Sequence, residues 1–116
     1  MNLNILGIDF EDWYHPQLVQ PFVKNLEHDP KIINGIKKII ELLQKNKTSA
    51  TFFMVGELLE HDPSILDLIL DNGHEIAFHT MTHSNLNELT KEKFLTELDT
   101  FDNLTDSKSK GFRAPT

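Results

Sequence analysis

Short apolar runs alternate along this chain with longer stretches of helical periodicity, and that alternation most constrains the fold. Residues 3–9 (Leu3, Ile5, Leu6, Ile8) form a near-continuous apolar run, the pattern of a strand buried on both faces. Residues 31–46 place Ile32, Ile36, Ile39 and Leu43 on one stripe, with Ile33 and Ile40 beside it. Lys37, Lys38, Glu41 and Lys45 fall on the opposite face, so an amphipathic helix is expected. Residues 50–55 are rich in β-branched and aromatic side chains and predict a second strand. Asp62-Pro63 then opens a helix with Ile65, Leu66, Ile69 and Leu70 on its buried face, and Asn72-Gly73 closes it. Residues 75–78 predict a third strand. Thr90 caps a helix running to Leu104 that buries Phe94, Leu95, Leu98 and Phe101, and residues 111–113 begin a fourth strand. Each crossover is long enough for parallel pairing. The expected class is α/β, with about four parallel strands and flanking helices.

At 116 residues the chain is the size of one domain. Its net charge of −7, without a basic run, argues against nucleic acid or an anionic membrane as partner. Cysteine is absent, which excludes disulfides and thiolate metal sites. The N-terminal residues lack a basic leader, and their apolar run breaks at Asp9, so no signal peptide is expected and a cytoplasmic location is the default. No membrane span is expected.

In parallel α/β folds the chemistry gathers at the carboxyl ends of strands. The first strand ends in Asp9-Phe10-Glu11-Asp12, three carboxylates in four residues. Such a cluster suits a metal ligand beside a general base, because a cation offsets the repulsion and activates water. A solvated turn is the alternative. The third strand ends in His79-Thr80-Met81-Thr82-His83, and one helical turn would bring the two rings about 6 Å apart along the axis. The fourth ends in Gly111-Phe112-Arg113-Ala114-Pro115, where Arg113 could clamp a carboxylate. His74 reads as structural, His28 and His61 as loop or cap residues, and His15 as more exposed than site-lining. Trp13 and Tyr14 could wall a sugar ring or pack the long loop of residues 10–30.

Together these segments resemble the polysaccharide deacetylase family, carbohydrate esterase family 4. Asp9-Phe10-Glu11-Asp12-Trp13-Tyr14-His15 looks like the first motif of the exopolysaccharide-associated branch. His79-Thr80-Met81-Thr82-His83 matches the second motif, and Gly111-Phe112-Arg113-Ala114-Pro115 the third. Ala50-Thr51-Phe52-Phe53-Met54-Val55-Gly56 and Asn72-Gly73-His74-Glu75-Ile76-Ala77 also look like this family. The resemblance implies the N-terminal part of a distorted (β/α) barrel, with residues 1–116 a single partial domain that lacks the C-terminal motifs. It implies a metal-dependent hydrolase removing N-acetyl groups from an acetylated polysaccharide or oligosaccharide. The implied metal ligands are Asp12, His79 and His83, and the ion is expected to be Zn²⁺. Glu11 aligns with the base. Asp9 is its rival because side chains alternate along a strand, and Arg113 would orient whichever carboxylate acts. Without the C-terminal acid the chain is expected to be weakly active or inactive, and its unpaired sheet edge to promote self-association. Two alternatives are a related hydrolase of another C–N bond (a cyclic imide or amide) and a metal-free carbohydrate-binding module.

Overall fold

The computed structural model describes residues 3–115. The elements run β1 (Gly7–Phe10), α1 (Gln20–Val23), α2 (Ile32–Lys45), β2 (Thr51–Met54), α3 (Gly56–His61), α4 (Ser64–Asp71), β3 (Glu75–Phe78), a 3₁₀ turn (Leu86–Glu88) and α5 (Lys91–Leu104). The three strands form a parallel sheet in the order β1-β2-β3, with Phe10, Met54 and Phe78 in register at its carboxyl edge. The chain therefore has the expected α/β class. Among the described residues, no helix is long and apolar enough to cross a membrane.

The helices form for the reasons the sequence suggests. In α2 the buried stripe is Ile36, Ile40 and Leu43, and Asn46 closes the helix with its backbone N–H on Leu42. The Asp62 carboxylate accepts from the Ser64 backbone N–H at 3.1 Å and starts α4, and Gly73 takes φ +78° just beyond that helix. Thr90 Oγ1 accepts from the Lys93 backbone N–H at 3.1 Å and caps α5. The core fills the space between sheet and helices with Phe10, Phe52, Met54, Ile69, Ile76, Phe78 and Phe101, all buried.

Four details depart from expectation. The first strand is shorter than residues 3–9, because the paired register begins at Gly7↔Thr51; of the preceding segment, Leu6 meets β2 through its carbonyl, which accepts from Thr51 N–H at 3.0 Å. Leu3 and Ile5 are accordingly 80% and 85% exposed. The fourth strand is reduced to a single bridge, Phe78↔Phe112, although Arg113 N–H still donates to the Phe78 carbonyl at 2.9 Å. In α5 only Phe101 is buried, and Leu95 is half exposed. An additional short helix, α3, follows β2 directly. Its first residue, Gly56, lies beneath Met81, where an added Cβ would fall 2.2 Å from the Met81 Sδ, so a larger residue would force Met81 to move.

Candidate active site

Alternation along β1 buries Phe10 completely and sends Asp9 to the sheet face it shares with the next alternate residue, Glu11. Both carboxylates then face the segments that follow β3 and its neighbouring bridge. Glu11 Oε2 lies 2.6 Å from His83 Nε2. Asp9 Oδ1 accepts from Arg113 Nη1 at 2.5 Å. The two histidines are not joined by a helical turn. Residues 79–83 form a loop in which Thr80 and His83 adopt positive φ (59° and 60°), and this brings the ring centroids to 5.0 Å. Left-handed backbone at non-glycine residues costs energy and persists where the surroundings hold it. Here Thr80 is fully buried, its carbonyl accepts from Gly56 N–H at 3.0 Å, and its hydroxyl accepts from Ser84 N–H at 2.9 Å.

Glu11, His79 and His83 each offer a ligand atom, and these atoms lie within 4.8 Å of one another. The donor set fits a divalent cation on three grounds. His79 Nδ1 donates to the Arg113 carbonyl at 2.7 Å, which leaves the Nε2 lone pair for a ligand. Glu11 Oε2 is buried and has no hydrogen-bond partner among the described residues, although it lies 2.6 Å from His83 Nε2. Burial pushes the His83 pKa below its ordinary value, against the opposing pull of Glu11, and so favours the neutral, ligating form. Two imidazoles and one carboxylate leave positions open for water and substrate.

Asp12 is not brought to this cluster. Its side chain is buried and turned away, with Oδ1 accepting from Trp13 N–H and Oδ2 from Ile32 N–H, each at 2.8 Å. It holds the loop after β1 to the start of α2. Glu11 stands beside the two histidines where Asp12 was expected, and the residue paired with Arg113 is Asp9.

Arg113 is held by three contacts. Its guanidinium lies over the Phe53 ring, 3.8 Å from the centroid, and grips Asp9, while its backbone N–H bonds to β3. It also crosses Gly7, where an added Cβ would stand 2.6 Å from Nη2. Asp9, Glu11, His79, His83 and Arg113 line one cleft of about 460 Å³, within the usual range for small-ligand sites.

The remaining histidines sort clearly. His74 is buried at the start of β3, accepts from Ala50 N–H at 3.3 Å, and has its pKa lowered by burial. His15 is only 2% exposed, contrary to expectation, and its Nε2 contacts Glu57 Oε1. Tyr14 is buried against His28, with ring centroids 4.4 Å apart, whereas Trp13 is half exposed. Burial and the nearby carboxylates of Glu57, Asp12 and Asp29 push the Tyr14 pKa up to about 12. No sequence signal marked Glu57, whose partner lies 42 positions away.

The polysaccharide deacetylase family model matches residues 25–116. The chain belongs to the polysaccharide deacetylase family. A peptidoglycan-N-acetylglucosamine deacetylase of Bacillus cereus is 38% identical over 56 residues, 48% of this chain and 26% of that protein. The solved structure of a T48 deacetylase with substrate superimposes with TM-score 0.67 at 23% identity, covering 96% of this chain and 48% of that one. A mutant of a family 4 pseudoenzyme, with restored enzymatic activity, superimposes with TM-score 0.63 at 22% identity, covering 97% of this chain and 36% of that one. The chain thus spans about a quarter of that Bacillus cereus relative and up to about half of these solved structures. Active and inactive polysaccharide deacetylases share this fold, so activity has to be argued from the side chains.

Proposed function

We propose that this chain carries the metal and base machinery of a hydrolase that removes acetyl groups from the amino-sugar nitrogens of a polysaccharide or oligosaccharide. The observation that carries this reading is the convergence of Glu11, His79 and His83 beside the Asp9–Arg113 pair in one cleft. Glu11, His79 and His83 would hold the ion, for which Zn²⁺ is the natural choice with these donors. Bound there, the ion would supply Lewis-acid polarisation of the acetyl carbonyl and acidify a water.

The protein's own groups divide the remaining work. Asp9 is the general base, taking the proton of the attacking water at its free carboxylate oxygen. Arg113 holds the other oxygen and fixes the direction of the carboxylate. The Arg113 carbonyl anchors the His79 ring, so one residue orients both a ligand and the base. Of the two candidate bases, Glu11 and Asp9, the Arg113 contact favours Asp9, and the position of Glu11 beside the histidines favours it over Asp12 as the ligand.

The test is metal content of the purified chain by mass spectrometry, followed by acetate release from N-acetylglucosamine oligomers. About one ion per chain, lost in Glu11→Gln and His79→Ala and kept in Asp9→Asn, is the expected result. Retention of the ion in Glu11→Gln would refute the ligand set.

A further inference from the structure

The Glu11–His79–His83 cluster joins two segments far apart in sequence: the turn after β1 and the loop after β3. Something must set the distance between them. His15 and Glu57 are placed to do so. Every polar atom of His15 is engaged. Its backbone N–H donates to the Asp12 carbonyl at 3.0 Å, and its carbonyl accepts from Gln20 Nε2 at 2.6 Å. Its ring Nδ1 accepts from Asp12 N–H at 2.7 Å. That last bond requires a lone pair on Nδ1, so the ring is the Nε2–H tautomer, and Nε2 donates to Glu57 Oε1. Tyr14 packs against the ring at 4.3 Å between centroids.

Glu57 is the second residue of α3. Its backbone N–H donates to the Met81 carbonyl at 2.9 Å, and the preceding Gly56 N–H holds the Thr80 carbonyl at 3.0 Å. Those carbonyls lie between the two clustered histidines. Glu57 thus grips the histidine loop through its backbone and the Glu11 turn through its side chain.

We infer that the His15–Glu57 pair is a positioning strut that sets the spacing of Glu11 from His79 and His83, and with it the affinity of the site for a divalent cation. The inference rests on the metal reading above. Neither residue touches the cluster as a ligand, so both act through Glu11 and the histidine loop. Outer partners that orient ligands typically govern metal affinity by about 10–100-fold.

The test is Zn²⁺ titration by calorimetry on the whole chain, with circular dichroism and thermal melts on the same samples. Glu57→Ala removes the acceptor and is expected to weaken Zn²⁺ binding by about 10–100-fold. Glu57→Gln keeps an acceptor oxygen for the His15 N–H and is expected to bind within about threefold of the parent, a difference that separates positioning from loss of a nearby charge. His15→Phe is expected to match Glu57→Ala, and the double variant to be no weaker than either single, as for two ends of one strut. Substitution by Co²⁺ should give altered visible absorption in Glu57→Ala alone of the two Glu57 variants. If His15→Phe does not fold, the Ala and Gln variants at partly exposed Glu57 still decide the matter. Parent-like Zn²⁺ affinity in folded Glu57→Ala, or equal weakening in Glu57→Gln, overturns the strut while leaving the metal site standing. A parent chain that takes up no Zn²⁺ overturns both.

Discussion

Asp12 and Glu11 are adjacent carboxylates with opposite expected consequences, and their substitution separates structure from chemistry. Asp12 is 5% exposed and accepts two backbone N–H groups, those of Trp13 and Ile32. Hydrogen bonds to a charged group contribute about 1.5–3 kcal/mol each, and buried donors left unpaired cost a similar amount. Taking the lower figure for both bonds, Asp12→Ala should cost about 3 kcal/mol. At roughly 4 °C per kcal/mol for a domain of this size, the melting temperature should fall by about 12 °C. Wherever the variant remains folded, Zn²⁺ stoichiometry should stay near that of the parent. Glu11→Gln should behave in the reverse way. Its Oε2 makes no hydrogen bond to lose, so stability should hold, while Zn²⁺ affinity should drop by at least about tenfold as a ligand is neutralised. Thermal melts of the metal-free proteins, paired with Zn²⁺ titrations, read both quantities. An Asp12→Ala chain that melts like the parent yet no longer binds Zn²⁺ would show that Asp12 is the ligand and that the turn geometry described above is wrong.

Other outcomes follow from the same geometry. Asp9→Asn should lower acetate release by roughly 10²–10⁴-fold, the usual contribution of a general base, with the Zn²⁺ affinity unchanged; loss of the metal would reassign Asp9. Gly7→Ala places a methyl 2.6 Å from Arg113 Nη2 and 2.9 Å from the Phe53 ring on β2, so activity should fall through a displaced Arg113 and the melt should drop by the cost of overpacking, about 1–3 kcal/mol. Gly56→Ala meets Met81 and Phe101 in the core and should cost about 1–3 kcal/mol in chemical denaturation. Burial lowers the folded-state pKa of His74 below its ordinary 6.5, so the unfolded chain takes up that proton first. Stability from this group is complete above about pH 6.5 and declines as pH falls below it towards the folded pKa; His74→Gln should flatten that slope in melts at pH 7.5 and 5.5. The exposed Leu3, Ile5 and Phe22, with the outer edge of β1 unpaired among the described residues, lead us to propose self-association, for which sedimentation velocity at micromolar concentration should show a species heavier than the monomer.

Much of this protein is written locally and so was legible in its sequence. Helices α2, α4 and α5 carry their own apolar stripes or caps, and the central strands carry β-branched and aromatic runs, because these preferences act over a few neighbouring residues. The strand-end positions of Asp9, Glu11, the His79/His83 pair and Arg113 were equally visible, as was the shared face of Asp9 and Glu11, since alternation is a property of the strand itself. Tertiary structure decided what each group meets. The Asp12 carboxylate, expected as a ligand, accepts instead from the N–H groups of Trp13 and of Ile32, twenty residues on. The histidines converge through a strained loop, not a helical turn, because α3 holds that backbone from outside the motif, with Gly56 N–H on the Thr80 carbonyl and Glu57 N–H on the Met81 carbonyl. Residues 3–6 are as apolar as a buried strand, yet β2 meets this stretch at its last residue, where Thr51 N–H donates to the Leu6 carbonyl, and Leu3 and Ile5 stay exposed. Pairing between distant segments leaves no local periodicity, and the different partners of the three carboxylates depend on such pairing.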